Sequence, residues 1–536
     1  RWLGVDDSRP TPSHTHPDGI DYVPANPAVL LGHHFSSIAG AGPIVGPVIA
    51  AAAFGWLPAF VWIVLGAVFI GGVQDFSSLV ASIRHRARSV ADMAEREISP
   101  LARLLFLIFV WFTLVYVIVV FVDLTAATFA TEPGVASSST LYIVAAVALG
   151  LLVYRAGIRL SRASLVFVPL VFVIIAVGPQ LPLELPAEQA ASTWSILLLG
   201  YCFVASILPV WFLLQPRDFL SSFLLYACLL GGVVGVLFGG GAIPDDVSPL
   251  PALISFSDAN LGLLFPAMFI TIACGACSGF HTIVSSGTTA KQLDRESHAK
   301  PVAYGSMLLE GLLALLAVSA VALVGAAAAK GQAPTVVFGA GLGKMLSAVG
   351  IPESAGAHFG ALAISTFLLT TLDTCTRLAR YVLEELFHLP HGKVVPIALA
   401  TLATLALPLV LTQITLTLPN GQPAPAWKVI WPVFGATNQL LGALAMLGVT
   451  VWLRNQGRRR AFVGVPMLFM FTVTLFALVQ LVWRYGGPTT LVGTIATALL
   501  ILSIVLVIEA IRQVVETPPG RHSEAQAAPS PSGSTP

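Results

Sequence analysis

Residues 32–47 read GHHFSSIAGAGPIVGP, inside an apolar stretch long enough to cross a bilayer. A helix that only has to span lipid has no use for clustered Gly, Pro and His. Gly and Pro free backbone amides and carbonyls, and such irregular backbone is tolerated at membrane depth only where protein or a watery cavity satisfies it. The stretch therefore predicts a helix broken into two pieces. Residues 274–289, CGACSGFHTIVSSGTT, have the same makeup: a His near an aromatic residue, a Ser pair close behind, glycines on both sides. Small residues also let helices pack closely, but packing does not ask for histidines.

Around these two stretches the chain is apolar almost throughout. Hydrophobic residues make up 56% of 536 positions and charged residues 10%, more apolar surface than a soluble core can hide, so the chain is expected to meet the lipid bilayer. The expected class is all-α, with about 14 membrane helices over 28–54, 56–82, 101–130, 140–154, 164–179, 194–214, 219–241, 261–285, 303–329, 358–378, 394–418, 429–453, 461–483 and 489–511. Alternate loops carry Arg84, Arg86, Arg88, Arg96 and Arg103; Arg155, Arg159 and Arg162; Arg217; Lys291, Arg295 and Lys300; Arg380 and Lys393; Arg454, Arg458, Arg459 and Arg460. The positive-inside rule makes these cytoplasmic and puts both ends of the chain there. The opposite loops hold Glu132, Glu184, Glu188, Asp245, Asp246 and Asp258, with Lys330, Lys344 and Lys428. The net charge of +1 gives no sign of a nucleic-acid partner. Cys202, Cys228, Cys274, Cys277 and Cys375 all sit in or beside apolar stretches, which argues against a disulfide framework.

Three shorter features complete the reading. Ser89 followed by Asp92 resembles a capping box opening a short helix through Glu97. Val336, Val337, Phe338, Leu342, Met345 and Leu346 suggest a short helix on the outer face. The tail at 517–536, rich in Pro, Ser and Ala, is expected to be disordered.

By the charge rule the first broken helix runs outward and the eighth span inward. Opposed broken helices are the mark of an inverted repeat whose two halves form a binding site near the midplane. The expected organisation is a polar segment at 1–27, a first repeat at 28–180, an inserted helix pair at 194–241, a second repeat at 261–453 and two further helices at 461–511.

Five blocks, residues 32–47 together with GGVQDFSSLVASIRHRARS at 71–89, GACSGFHTIVSSGTTAKQ at 275–292, LDTCTRLARY at 372–381 and WPVFGATNQLLGA at 431–443, resemble the signature blocks of the carbon starvation protein A family. The resemblance implies a peptide or pyruvate transporter of the inner membrane, linked to the starvation response and related to the amino acid–polyamine–organocation transporters with their five-plus-five inverted repeat. Family members carry a further membrane helix before the histidine pair, so the resemblance implies one upstream of this chain.

A small carboxylate substrate needs positive potential, and no Lys or Arg stands in the middle of a clear span. Half-helix N-termini offer free amides instead, which points to Gly40, Ala41 and Gly42, faced by Ser278 and Gly279. His33, His34 and His281 add hydrogen bonds or a coupling proton. Asp373, with Thr370, Thr374 and the carbonyls of Ile38 and Ala41, suggests a cation or proton site. The alternative for Asp373 is an i,i+4 pair with Arg377. Asp75, Asp123 and Glu310 are the other intramembrane carboxylates; Asp75 with Gln74, near Arg84, reads as an inner-gate or structural pair, and Glu310 as facing protein.

The leading expectation is thus a symporter driven by protons or sodium, with no cofactor and no resident metal. A membrane-embedded metal enzyme using His33, His34 and His281 is the alternative from another class. Cys274-x-x-Cys277 near His281 has metal or redox spacing, but no second such pair follows. The chain has no P-loop signature for a nucleotide-driven pump, and no charged ring or repeated filter for a passive channel.

Overall fold

The computed structural model describes residues 3–17, 22–209, 211–238, 249–389 and 394–516. The tail at 517–536, together with Asp245, Asp246 and Lys393, lies outside them. Twelve helices are long and apolar enough to cross a membrane, and a bent pair adds a thirteenth span. The pair is α1 (Pro27–Ile38) and α2 (Gly42–Phe54), inclined at 49°. There follow α3 (Trp56–Arg84), α4 (Pro100–Thr131), α5 (Pro133–Arg155), α6 (Leu160–Gln180), α7 (Ala190–Ile207) and α8 (Leu214–Phe238). The second broken element is α9 (Leu264–Thr271), a non-helical turn, and α10 (Gly279–Val284), whose helical path continues through Ser285–Thr289. Its pieces are too short to count as a span, which accounts for the expected fourteenth. Then come α11 (Glu296–Val324), α12 (Pro334–Ser347), α13 (Glu353–Leu386), α14 (Val394–Thr412), α15 (Ala426–Asn455), α16 (Ala461–Arg484) and α17 (Leu491–Glu516).

The packing follows the two-fold pattern of a five-plus-five inverted repeat. Counting α1–α2 as one element, α1–α6 give five spans, and α9–α10, α11, α13, α14 and α15 give five more. The third spans of the two sets, α4 and α13, pack on each other. The first broken helix packs on α11, the second span of the other set, and the second broken helix packs reciprocally on α3. The inserted helices α7 and α8 both lie against α13, and α16 and α17 pack against α15.

Two helices begin earlier than hydropathy alone indicates. The span expected at 140–154 starts at Pro133, and that at 164–179 starts at Leu160. Hydropathy reads Ser137–Ser139 as loop, but inside a helix a serine hydroxyl bonds back to a carbonyl one turn before, as Ser137 does to Pro133 at 3.2 Å. The short helices anticipated in the loops are present. Ser89 Oγ accepts the Asp92 amide at 3.2 Å and opens Val90–Glu97, while α12 buries Val337, Phe338 and Leu342 against α11, α13 and α2.

Polar contacts tie the basic loops together on one face. Glu97 bonds His85 at 3.0 Å and Asn455 at 2.9 Å, Ser99 bonds Glu509 at 3.1 Å, and Arg103 meets Asp92 and Glu385. The polar segment before α1 packs here too. Arg84, at the end of α3, meets Glu296, at the start of α11, through two nitrogens each 2.8 Å from a carboxylate oxygen. The same arginine donates to the Gly4 carbonyl at 2.8 Å, and the Asp6 amide bonds Glu296 at 2.8 Å. Asp7, held below the usual carboxylate range by hydrogen bonds from Ser297, fastens the next turn.

On the charge rule the face carrying these loops is expected to be the cytoplasmic one. In sealed right-side-out vesicles an impermeant maleimide is therefore expected to label Gln422→Cys at once and Arg459→Cys only after permeabilisation. Four of the five native cysteines are buried and Cys274 is half-buried, which keeps the background low. The reverse labelling pattern would overturn the assignment.

Candidate functional site

The two breaks touch. A Cβ on Gly42 would strike the Cys274 sulfur, and one on Gly275 would come within 2.6 Å of Ala314 and 3.6 Å of Pro43. A Cβ on Gly40 would lie 2.5 Å from Thr371 Oγ1, so α13 closes over the first break as the repeat scheme requires. At that break the Gly40 amide turns back to the Ile38 carbonyl at 2.8 Å, and the Ala41 carbonyl accepts the amides of Ile44 and Val45. The amides of Ala41 and Gly42 open α2 and are the donors that a helix N-terminus leaves over.

Two buried amide side chains hold the second break. Gln74, from α3, donates to the Ser278 carbonyl at 2.6 Å and to Thr282 at 3.1 Å, and accepts from the Cys277 thiol at 3.3 Å. Asn438, from α15, accepts the Phe280 amide at 3.0 Å through Oδ1, donates to Ser278 Oγ at 3.1 Å and to the Cys274 sulfur at 3.2 Å. This capping of α10 brings the α15 backbone so close that a Cβ on Gly279 would overlap the Asn438 carbonyl and lie 2.5 Å from Leu441 Cβ. His34, on α1, reaches across to Thr289 beyond α10 at 2.8 Å.

Beside these contacts lies a closed ionic cluster. His281 Nδ1 is 2.7 Å from Asp75 Oδ2 of α3, and Nε2 is 2.9 Å from Glu310 Oε2 of α11, with all three side chains fully buried. A neutral imidazole carries one N–H; with Asp75 hydrogen-bonded at Nδ1 and a Glu310 oxygen within 2.9 Å of Nε2, two carboxylates facing one ring favour a second proton, on the ring or on a carboxyl. Either distribution leaves the triad at −1 when the rest is ionised, and one further proton makes it neutral. The buried Asp75 Oδ1, both Glu310 oxygens, His281 Nε2, His34 Nε2, Ser285 Oγ and Ser306 Oγ have no hydrogen-bond partner among the described residues. Ser285 stands one turn beyond His281 and Ser306 one turn before Glu310, so unmatched polarity gathers around this cluster. Asp75 thus pairs with His281 and not with Arg84, and Glu310 faces His281.

Asp373 is engaged elsewhere. It forms an ion pair with Arg217 and accepts from the Tyr201 hydroxyl at 2.7 Å; Arg217 also bonds Asp218 at 2.9 Å. Arg217 is fully buried at the start of α8, which corrects its assignment to a cytoplasmic loop. Asp373 and Asp218 both lie against it, so its charge is matched within the protein. The proposed Asp373–Arg377 pair does not form: Arg377 donates instead to the carbonyls of Ala205 and Leu208, capping the end of α7. Thr370 bonds the Thr366 carbonyl at 2.8 Å, and Thr374 is half-buried. Asp123 accepts the Trp427 amide at 2.9 Å and so caps the start of α15.

His33 is half-buried, with its carbonyl taken by Ser36 and Ser37, while His34 bonds Thr289 and His281 lies between Asp75 and Glu310. Among the described residues no group of three or more His, Cys, Asp and Glu has metal-holding geometry. Cys274 and Cys277 are unbridged, bonded to Asn438 and Gln74. Sequence reasoning missed Asn438, Tyr201 and Asp218. The available signal was polarity, since an amide or a charge inside an apolar span needs a partner.

Removing one member of a buried cluster leaves uncompensated charge. Arg217→Met strips both Asp373 and Asp218 of their counter-charge and is therefore expected to cost about 3 kcal/mol or more and to lower the unfolding temperature in detergent, with the double variant Arg217→Met/Asp373→Leu recovering part of it. Equal losses in single and double variants would show that Asp373 needs no counter-charge.

Comparison with known proteins places this arrangement. The family model described as "Carbon starvation protein CstA" matches residues 1–330 and 320–477. The Escherichia coli protein named peptide transporter CstA is 34% identical, covering 92% of this chain and 79% of its own length. The Bacillus subtilis protein of that name is 30% identical, over 95% and 92%. An Escherichia coli protein named pyruvate/proton symporter BtsT is 31% identical, over 89% and 77%. Among solved structures, the Eremococcus coleocola manganese transporter aligns with 94% of this chain and 99% of its own at a TM-score of 0.54 and 12% identity, a likeness of fold. With the family model spanning most of its length and relatives above 30% identity over nine-tenths of it, the chain belongs to the carbon starvation protein CstA family.

Proposed function

We propose that this chain is a proton-coupled symporter that carries a small carboxylate-bearing substrate, a short peptide or pyruvate, inward across the bacterial cytoplasmic membrane. The observation that carries the reading is His281 between Asp75 and Glu310, one residue from each of α10, α3 and α11, beside two broken helices that touch. A group that alternates between −1 and neutral, built across three helices, suits a proton taken from one side and released to the other. The relatives' names supply the substrate classes.

In this reading the substrate carboxylate meets the Ala41 and Gly42 amides at the start of α2, where the helix dipole is positive. Gly40, Ser278, Gly279, His33 and His34 shape the surroundings. The group first considered as a cation or proton site, Ile38, Ala41, Thr370, Asp373 and Thr374, is the weaker coupling site because Arg217 already pairs with Asp373. Both ends of the chain are assigned to the cytoplasm.

The test is uptake of labelled pyruvate and labelled dialanine into proteoliposomes under separately imposed proton and sodium gradients. The expected result is uptake of one or both that responds to the proton gradient. His281→Gln and Glu310→Gln should abolish gradient-driven accumulation while exchange of preloaded for external substrate persists, since exchange needs no net proton movement. Accumulation driven by sodium alone, and unchanged in those variants, would sink the proton assignment.

A further inference from the structure

The polar segment before α1 is stitched down along its length. Leu3 is 2% exposed, and Gly4, at φ +60°, lies so close to the Arg458 guanidinium that a Cβ there would overlap it. The Gly4 carbonyl accepts from Arg84 at 2.8 Å and from Arg9 at 3.1 Å. The Asp6 amide bonds Glu296 at 2.8 Å, and Asp7 accepts the Ser297 amide at 2.8 Å and its hydroxyl at 2.7 Å. Farther along, the buried Thr11 and Ser13 donate to the carbonyls of Asp294 and Leu293 at 3.1 and 2.9 Å. The Ala25 amide, just before α1, donates to the Gln292 carbonyl at 2.9 Å. The segment thus follows residues 297 back to 292 step by step.

The contacts to residues 292–297 all join the two repeats. Residues 4–25 lead into α1 and Arg84 ends α3, both in the first repeat, whereas 292–297 carry the chain from α10 into α11 in the second. Alternating access moves one repeat against the other around a fixed site, so bonds that cross between them on one face have to break when that face opens. These bonds are placed to break. Asp6, Asp7 and Ser8 are exposed, water stands ready to replace their partners, and single contacts of this kind contribute little. Beneath them Glu296 is only 2% exposed, covered by the Asp6 amide and paired with Arg84. The Arg217 joint is built differently, with its guanidinium and both carboxylates buried.

From this placement we propose that residues 4–13 are a cytoplasmic strap, closed in this structure, that has to lift off residues 293–297 before the carrier releases substrate inward. The proposal rests on the reading of the chain as an inward carrier and deepens it, naming the segment that gates the release step. With the strap down, Arg84 and Glu296 hold α3 to α11. When it lifts, the Gly4 carbonyl and the Asp6 amide leave that pair, and water entering around it weakens the attraction. The strap continues through Ala25 into α1, so its movement reaches the inner piece of the first broken helix directly, while α2 lies beyond the break.

Two measurements on the full chain test the strap. With Asp7→Cys and Ser297→Cys joined by a short bis-methanethiosulfonate reagent, proton-driven uptake of dialanine and pyruvate into proteoliposomes is expected to fall to background. Uptake should return when a reductant cleaves the bridge, and either single variant, treated alike, should keep it. In nanodiscs with no gradient, spin labels on Ser8→Cys and Arg295→Cys, both exposed positions, are expected to report one short distance, joined by a second, longer one when dialanine or pyruvate is supplied. Full uptake with the bridge in place, or a single short distance under both conditions, would overturn the strap. Two distances with no uptake by the unaltered chain would leave the strap standing and overturn the transport reading.

Discussion

Backbone polar groups at membrane depth have no water to turn to, and the architecture is organised around satisfying them at two places. Each break exposes amides and carbonyls; at the first the Gly40 amide turns back to the Ile38 carbonyl, and at the second the partners come from side chains of other helices. At the second break the closure is specific, with Gln74 on one side and Asn438 on the other. Those bonds demand that α3 and α15 pass close by, which is why Gly279 faces the α15 backbone directly. The small residues that first marked the stretches as unusual are thus required twice over: to let the helix stop, and to let the neighbours that repair it come near.

Burying charge is the second constraint, met by two clusters of different character. Arg217, with Asp218, Asp373 and Tyr201, joins the inserted helices α7 and α8 to α13. A guanidinium that cannot give up its proton, matched by carboxylates on two helices, is a fixed joint. The Asp75–His281–Glu310 cluster also spans separate helices, but its central group can hold one proton or two. Buried polar atoms without partners occur in both clusters, Asp75 Oδ1 and the Glu310 oxygens in this one, Arg217 Nε and Asp373 Oδ1 in the other, so the difference lies in the central group and not in how completely each cluster is paired. Desolvation penalises any charged state of such a triad, so its proton content and the positions of its three helices cannot vary independently.

How much of this was legible beforehand depends on whether the signal is local. The breaks were readable because Gly, Pro and His within one turn contradict a lipid-spanning helix at the place where the contradiction occurs. Span order and the common face of the basic loops were readable for the same reason. Partner choice was not. For Asp373 the sequence shows only Arg377 four residues on, while its partner Arg217 precedes it by several helices; tertiary packing outweighed the local pair because Arg377 finds carbonyls at the end of α7. Asp75 likewise had Arg84 in view on its own helix, and the structure gives Arg84 to Glu296 and Asp75 to His281. Asn438 was in plain sight as an amide in an apolar span, but nothing near it in sequence names the Phe280 amide.

Those last two exchanges have a mechanical consequence. Asp75 and Arg84 lie on α3 about two and a half turns apart, and both reach across to the second broken element or to α11. Glu310 and Glu296 lie on α11 and receive them at the same two depths. The helices α3 and α11 are therefore fastened twice, by a bidentate guanidinium–carboxylate pair at the basic face and through an imidazole deeper in. The shallow fastening also holds the segment before α1 through the Gly4 carbonyl and the Asp6 amide. The shallow pair is a guanidinium and a carboxylate, whereas the deep one centres on an imidazole, a group able to hold one proton or two. A change in the proton content of that imidazole therefore acts where the second break, α3 and α11 meet.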